Sequence, residues 1–362
     1  MASAYARRQE ALRTALLKAH LDGLLVSGLA NVRYLTGFSG SNALLLMTAR
    51  DALLLTDFRY QTQAADEVGS SATIQVESTS LWNGLWTFLQ QRAGIETLGF
   101  ESMYLLHRDF ERLLDKGRRW QWRPMVDVVE TLREQKDADE IDAIRDAAQV
   151  GKAALSRTLS QVRAGMTELD VCGILEHSLR ADGSEAHPFP PIVAAGERSA
   201  LPHARPSRRP IALGEFLLLD FGATVGGYCS DITRTVVVGR ASERQRELYA
   251  AVRQANETAR AGVRAGMTGR DADALARNVL EAAGLGDAFG HSLGHGIGLE
   301  VHEAPRLSRV ADGVLPVGAV VTIEPGAYVP EWGGVRIEDD VVLQVDGAGL
   351  LTDIPRDLIE LS

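Results

Sequence analysis

Apolar and polar positions in the first third of the chain follow two different periods. Across residues 2–20, aliphatic side chains recur every three or four positions, which predicts an amphipathic helix. Later apolar runs are short, and Ala49-Arg50-Asp51 between two of them predicts a hairpin. We predict strands at 23–27, 43–48, 52–56, 73–77 and 97–101, and helices at 58–67, 81–93 and 105–116. The mixture predicts an α/β domain of about 125 residues, an ordinary domain size.

A charged amphipathic helix predicted at 137–162 opens the rest of the chain. We therefore predict two domains, 1–130 and 131–362, with a hinge within 131–139. The length of 362 residues is ample for two domains of ordinary size. The predicted fold class is α/β (α+β).

The second domain contains an internal repeat. The hexapeptide VRAGMT occurs at 162–167 and again at 263–268, an offset of 101 residues. The correspondence continues with Leu213–Ala223 against Val317–Ala327, and with Gly226–Asp231 against Gly333–Glu338. The offset grows along the chain, as short loop insertions would cause. The repeat predicts two copies of one helix-plus-hairpin unit, related by a pseudo-twofold axis.

Composition narrows the functional classes. A net charge of −10 and the lack of a basic tract argue against a nucleic-acid partner. Two cysteines without a CxxC spacing argue against a disulfide framework or a thiolate zinc site. The first residues lack the pattern of a signal peptide, and no apolar run reaches about 18 residues. We therefore expect a cytoplasmic protein with no membrane partner.

Two carboxylates stand inside an apolar hairpin. Asp220 ends the run FLLL, and Asp231 precedes a β-branched run. A buried carboxylate costs several kcal/mol unless it is paired or binds a cation. A turn centred on Val225-Gly226 would place Asp220 and Asp231 directly opposite each other, where they would repel. The pattern therefore predicts a cation between them.

The repeat strengthens this prediction. It aligns Asp220 with Glu324 and Asp231 with Glu338, so four carboxylates would meet at one point and require about two divalent cations. His295, in the segment GHGIG, would add a nitrogen ligand. Such an oxygen-rich set suits Mn²⁺ best, with Co²⁺ or Zn²⁺ as alternatives.

Residues 213–340 resemble the metallopeptidase family of methionine aminopeptidase, aminopeptidase P and prolidase, whose catalytic domain has the pita-bread fold. The resemblance lies in the motifs SDITRT, GHGIG, TIEPG and RIED. Residues 1–125 resemble the creatinase-type N-terminal domain of prolidases and aminopeptidases P, through DGLLVS and NVRYLTGFSGS. The resemblance implies five metal ligands in the order Asp, Asp, His, Glu, Glu: Asp220, Asp231, His295, Glu324 and Glu338.

The resemblance also implies a role for each of these residues. Asp231 and Glu338 would bridge the two ions, Asp220 would bind one ion, and His295 and Glu324 would bind the other. Glu324 would in addition carry a proton to the leaving nitrogen. His203 and His302 match the family's substrate histidines, and His291 is a candidate to line the site. Thr322, Tyr228 and Arg336 are candidates to support the ligands.

The family branch with this N-terminal domain cleaves the bond before proline. Arg306, in the segment HEAPR, matches an arginine that in prolidases pairs with the free carboxylate of a dipeptide, which favours Xaa-Pro dipeptides. The GFSGS loop resembles the aminopeptidase P branch, which releases residues from longer Xaa-Pro peptides. In relatives this loop can reach the partner's active site, so a homodimer is implied. A more distant alternative is a non-catalytic binding protein on the same fold.

Overall fold

A computed structural model describes residues 3–362, and the chain divides into two compact units. The first ends at Arg133 and the second begins at Glu134. Among the described residues, no helix is both long and apolar enough to span a membrane.

The first unit is a six-stranded mixed sheet with helices packed around it. Its strands lie in the order β4-β3-β2-β1-β5-β6, and β1, β2 and β3 pair antiparallel, with the predicted hairpin between β2 and β3. The elements are α1 (Ala4–Lys18), β1 (Gly23–Val26), α2 (Leu29–Thr36), β2 (Ala43–Thr48), β3 (Ala52–Asp57), α3 (Gln61–Val68), β4 (Thr73–Glu77), α4 (Leu81–Gln90), β5 (Thr97–Glu101), α5 (His107–Asp115), β6 (Gln121–Met125) and α6 (Val128–Arg133).

Three elements of this unit were not predicted from the sequence, namely α2, β6 and α6. The start of α2 is held by Glu101, whose carboxylate accepts hydrogen bonds from the backbone N–H groups of Ser27 and Gly28, both at 2.7 Å. Glu101 is distant in sequence, so the local pattern cannot reveal this contact. Strand β6 is a mostly exposed edge strand that contains Pro124, so it lacks an apolar period.

The second unit consists of two similar halves followed by a short C-terminal strand. The first half contains α7 (Ala138–Leu159), α8 (Glu168–Ala181), β7 (Ile192–Ala195), β8 (Glu215–Phe221), β9 (Thr224–Val225), β10 (Tyr228–Cys229) and β11 (Ile232–Val238). The second half contains α9 (Glu243–Gly262), α10 (Gly269–Ala282), β12 (Gly294–Gly296), β13 (Glu303–Leu307), β14 (Val320–Ile323), β15 (Gly326–Val329), β16 (Gly333–Arg336), β17 (Asp339–Gln344) and β18 (Gly347–Leu350), and β19 (Glu360–Leu361) closes the chain.

The two halves repeat the same order of pairing. One sheet has the order β19-β11-β8-β7 and the other β13-β12-β14-β17-β18, so β7-β8-β11 corresponds to β12-β14-β17. The repeated hexapeptide begins a helix in each half. The hydroxyl groups of Thr167 and Thr268 accept hydrogen bonds from the backbone N–H groups of Asp170 and Asp271, each at 3.1 Å. The repeat is therefore a property of the fold as well as of the sequence.

The predicted register of the carboxylate hairpin was wrong by two residues. Thr224 pairs with Cys229, so the turn consists of Gly226 and Gly227, whose φ angles are 57° and 81°. Two successive left-handed residues form the tight turn that glycine permits and valine resists. Asp220 therefore faces Thr233, and Asp231 lies two residues before Thr233 on the same face of the sheet.

Candidate metal centre

A cavity of about 740 Å³ in the second unit is lined by all the predicted metal ligands and by the predicted histidines and arginine around them. Phe189 and several prolines form its apolar wall. The predicted residues that line it are Asp220, Asp231, His295, Glu324 and Glu338 as metal ligands, and His203, His291, His302 and Arg306 around them.

The four carboxylates occupy equivalent positions at the ends of paired strands. Asp220 lies near the end of β8 and Asp231 directly precedes β11, while Glu324 directly follows β14 and Glu338 directly precedes β17. Both strand pairs are antiparallel, so each pair brings its two carboxylates to the same end. Each sheet therefore contributes two carboxylates to one cavity.

Two of the carboxylates and the imidazole of His295 are close enough to share one ion. One ligand atom each from Asp231, His295 and Glu338 lies within 4.8 Å of the other two, and all three residues are buried. His295 Nε2 also lies 3.3 Å from Glu324 Oε1 and 3.9 Å from Asp231 Oδ2. Nδ1 of His295 donates to the carbonyl of Gly296 at 3.0 Å, which leaves Nε2 with its lone pair directed at the carboxylates.

The electrostatics of the cluster require a positive partner. Burial and the nearby Glu338 raise the pKa of Asp231 well above its usual value, and burial and Glu324 do the same for the pKa of Glu338. Burial raises the pKa of Glu324 to about 7. Oδ1 of Asp220 and Oδ1 of Asp231 are buried without a hydrogen-bond partner among residues 3–362. These unsatisfied oxygen atoms and the imidazole lone pair fit divalent cations.

The comparisons with known proteins agree with this geometry. Residues 142–344 match the metallopeptidase family M24, and residues 8–135 match the creatinase/prolidase N-terminal domain. The chain belongs to family M24. This finding confirms the predicted family and shows that the protein is a hydrolase of the metallopeptidase class.

Two solved structures and one curated relative cover nearly the whole of this M24 peptidase. A structure described as a Xaa-Pro dipeptidase from Bacillus anthracis has a TM-score of 0.95 and 40% identity, and it covers 99% of this chain and 100% of its own. An X-Pro aminopeptidase from Thermotoga maritima MSB8 has a TM-score of 0.90 and 37% identity, with 97% and 99% covered. A Xaa-Pro dipeptidase of Pyrococcus horikoshii is 36% identical and covers 94% of this chain and 95% of its own. The predicted fold class, a creatinase-type domain followed by a pita-bread domain, is confirmed.

In this M24 peptidase, two of the carboxylates each accept a hydrogen bond from a threonine hydroxyl. Thr233 donates to Glu338 Oε2 at 2.6 Å, and Thr322 donates to Glu324 Oε1 at 3.1 Å. Thr322 was expected to support a ligand, but Thr233 was not recognised from the sequence. The two-residue period of a strand could have identified Thr233, since it shares a face with Asp231.

Arg336 connects the carboxylates to the wall of the cavity. It forms a buried ion pair with Asp220, as expected, and it donates to the hydroxyl of Tyr328 at 2.7 Å. Tyr328 in turn contacts Nε2 of His291 at 2.9 Å. Tyr228, which was also expected to support a ligand, does not line the cavity, and its hydroxyl contacts Glu140 at 2.9 Å. The position of Tyr328 gave no sequence signal.

Proposed function

We propose that this M24 peptidase hydrolyses the peptide bond before proline in Xaa-Pro dipeptides, with two divalent ions, Mn²⁺ foremost, at the candidate metal centre. The observation that carries the proposal is the set of four carboxylates and one imidazole around one cavity, of which Asp231, His295 and Glu338 are buried and close enough to share an ion. Its ligands are Asp220, Asp231, His295, Glu324 and Glu338. Divalent ions bound there supply a Lewis acid and activate water at neutral pH.

The protein's own groups then position the substrate and move the proton. Glu324 has a pKa near neutrality in the metal-free chain, which suits a carboxylate that takes a proton from water and passes it to the leaving nitrogen. His302 lies beside His295, with 4.5 Å between the ring centroids. Burial and the neighbouring Arg306 lower the pKa of His302, so its ring is neutral at pH 7 and can donate an N–H to the developing oxyanion. His203 would contact the scissile amide from the other half of the unit.

Arg306 supports the assignment to dipeptides. It is exposed, it lines the cavity, and its guanidinium forms no hydrogen bond or ion pair with residues 3–362. A free guanidinium near the metal centre suits the terminal carboxylate of proline. The structural relative described as a Xaa-Pro dipeptidase is consistent with this proposal, and the one described as an X-Pro aminopeptidase favours a second candidate, an aminopeptidase P acting on longer peptides.

Hydrolysis of Ala-Pro beside Ala-Pro-Ala tests the proposal, with Mn²⁺ added to chelator-stripped protein. We expect cleavage of the dipeptide, with the tripeptide at least about tenfold slower, because a dipeptide places its carboxylate at Arg306. Equal or faster cleavage of Ala-Pro-Ala would establish the aminopeptidase instead. Cleavage of neither peptide by metal-loaded protein would mean that the proline specificity is wrong and that only the metal centre survives.

The stability of the metal-free protein should fall as the pH rises from 6 to 8. Burial raises the pKa of Glu324 to about 7 in the folded chain, above its unfolded value, so its favourable contribution is lost as the pH rises through 7. Mn²⁺ binds the ionised form and should therefore raise the Tm more at pH 8 than at pH 6. Calorimetry of stripped and loaded protein at the two pH values measures both effects. An equal Mn²⁺-induced increase in Tm at pH 6 and at pH 8 would contradict the assignment of Glu324 as a metal ligand.

We also propose a homodimer and a cytoplasmic location. The GFSGS segment supports the dimer by its resemblance to relatives whose loop reaches the partner subunit. Cys172 and Cys229 are both buried free thiols, which is compatible with a reducing compartment. Light scattering of the purified protein would decide the oligomeric state.

A further inference from the structure

The cavity contains a second free arginine, Arg205, which the proposed mechanism does not use. Arg205 lines the cavity three positions after Pro202, and it is exposed. Its guanidinium makes no hydrogen bond, ion pair or ring contact with any residue from 3 to 362. The third arginine of the cavity, Arg336, is fully engaged by Asp220, Tyr328 and Thr233. Arg205 and Arg306 are therefore the two arginines of this cavity that are available to a ligand.

The loop that presents Arg205 is held by a buried carboxylate. Glu168 is fully buried, and it accepts hydrogen bonds from Ser207 N at 2.9 Å, from Ser207 Oγ at 2.7 Å and from Arg198 Nε at 3.0 Å. Arg198 then donates through Nη2 to the backbone carbonyl of Arg205 at 2.6 Å. Pro206 further limits the backbone. The backbone at Arg205 is thus fixed on both sides, while its side chain is free at the cavity.

Arg205 and Arg306 belong to different halves of the second unit. Arg205 lies in the segment that connects β7 to β8, two neighbouring strands of the β19-β11-β8-β7 sheet. Arg306 lies on β13 of the other sheet. The carboxylates of the metal centre are likewise divided between the two sheets. A dipeptide that places its terminal carboxylate at Arg306 would therefore present its preceding residue, across the scissile bond, to the side of Arg205.

We propose that Arg205 binds a carboxylate on the residue before proline, so that Glu-Pro and Asp-Pro are preferred dipeptide substrates. The inference rests on the proposed function, and it adds the acidic class of the first residue. Two free guanidinium groups match the two carboxylates of such a dipeptide, one at its terminus and one on its first side chain. They also place two unpaired positive charges in the cavity of a chain whose net charge is −10, and such charges attract anionic groups.

The test compares Glu-Pro with Gln-Pro, which differ in charge and hardly in shape. We expect wild-type kcat/KM to favour Glu-Pro by about 10- to 100-fold, the effect of a charge-assisted hydrogen bond. Arg205→Gln should remove that preference by slowing Glu-Pro alone, and about 1 M salt should reduce it in the wild type. Arg208→Gln is the matched control, because Arg208 is exposed on the same loop and does not line the cavity, and its side chain forms no hydrogen bond or ion pair with residues 3–362.

The outcomes separate this inference from the function beneath it. Cleavage of both peptides by the wild type, with an unchanged ratio in Arg205→Gln, would overturn the role of Arg205 and leave the proline specificity intact. Equal losses on both peptides in Arg205→Gln would also overturn it, because they would place Arg205 at the terminal carboxylate. A wild type that cleaves neither peptide would overturn the proposed function and this inference together.

Discussion

Glu324→Gln protein should retain the fold and lose nearly all turnover. The change keeps the shape of the side chain and removes the carboxylate that we propose carries the proton to the leaving nitrogen. We expect kcat on Ala-Pro to fall by about 100- to 10,000-fold, the ordinary range for a lost general acid–base. Initial rates should be measured together with the metal content of the same sample, since Glu324 is also a proposed ligand.

Glu331→Gln provides the control for this variant. Glu331 is exposed in the connection between β15 and β16, so the same substitution there should leave kcat unchanged. Near-normal activity of fully metal-loaded Glu324→Gln protein would contradict the assignment of Glu324 as the proton carrier.

Asp231→Asn should remove metal binding while it stabilises the metal-free protein. Asp231 is a proposed bridging ligand, and an amide cannot replace its negative charge. We expect metal affinity and kcat/KM each to fall by more than about 100-fold, because losing a residue that merely orients a ligand costs 10- to 100-fold. The metal content after dialysis and the rate on Ala-Pro measure the loss.

The thermal stability of the same variant separates a metal ligand from a structural residue. Burial and Glu338 raise the pKa of Asp231, so its ionised form destabilises the folded metal-free chain at high pH. Asparagine has no charge to bury. The backbone N–H of residue 231, which donates to Asp340 at 3.0 Å in the wild type, can still do so in the variant. We therefore expect the stripped variant to have a higher Tm at pH 8 than stripped wild type. A lower Tm with two ions still bound would rule out the ligand role.

The candidate metal centre could be predicted from the sequence because its signals are local. Asp220 and Glu324 each interrupt or end an apolar strand, and the hexapeptide repeat shows that they are equivalent. Those two observations are enough to predict that four carboxylates converge. The exact opposition of Asp220 and Asp231 was not predictable in this way, because it depends on which two residues form the turn. Gly226 and Gly227 both adopt the left-handed conformation, and this moves the pairing by two residues.

The remaining features depend on contacts between distant segments. Helix α2 begins where the carboxylate of Glu101 accepts hydrogen bonds from two backbone N–H groups. Tyr328 belongs to the site only because Arg336 and His291 both contact it. Arg205 belongs to a segment with several arginines, and its sequence alone does not distinguish it from Arg208. The structure separates them, because only Arg205 lines the cavity.

A metal titration of stripped protein with Ala-Pro as substrate tests whether two bound ions at the candidate metal centre support hydrolysis. Bound Mn²⁺ and the rate of hydrolysis should be measured on the same samples as Mn²⁺ is added. We predict negligible hydrolysis without metal and full activity when about two ions are bound per chain, the number that four carboxylates and one imidazole suit. Full hydrolysis of Ala-Pro by metal-free protein, or two bound ions with no hydrolysis, would contradict this prediction.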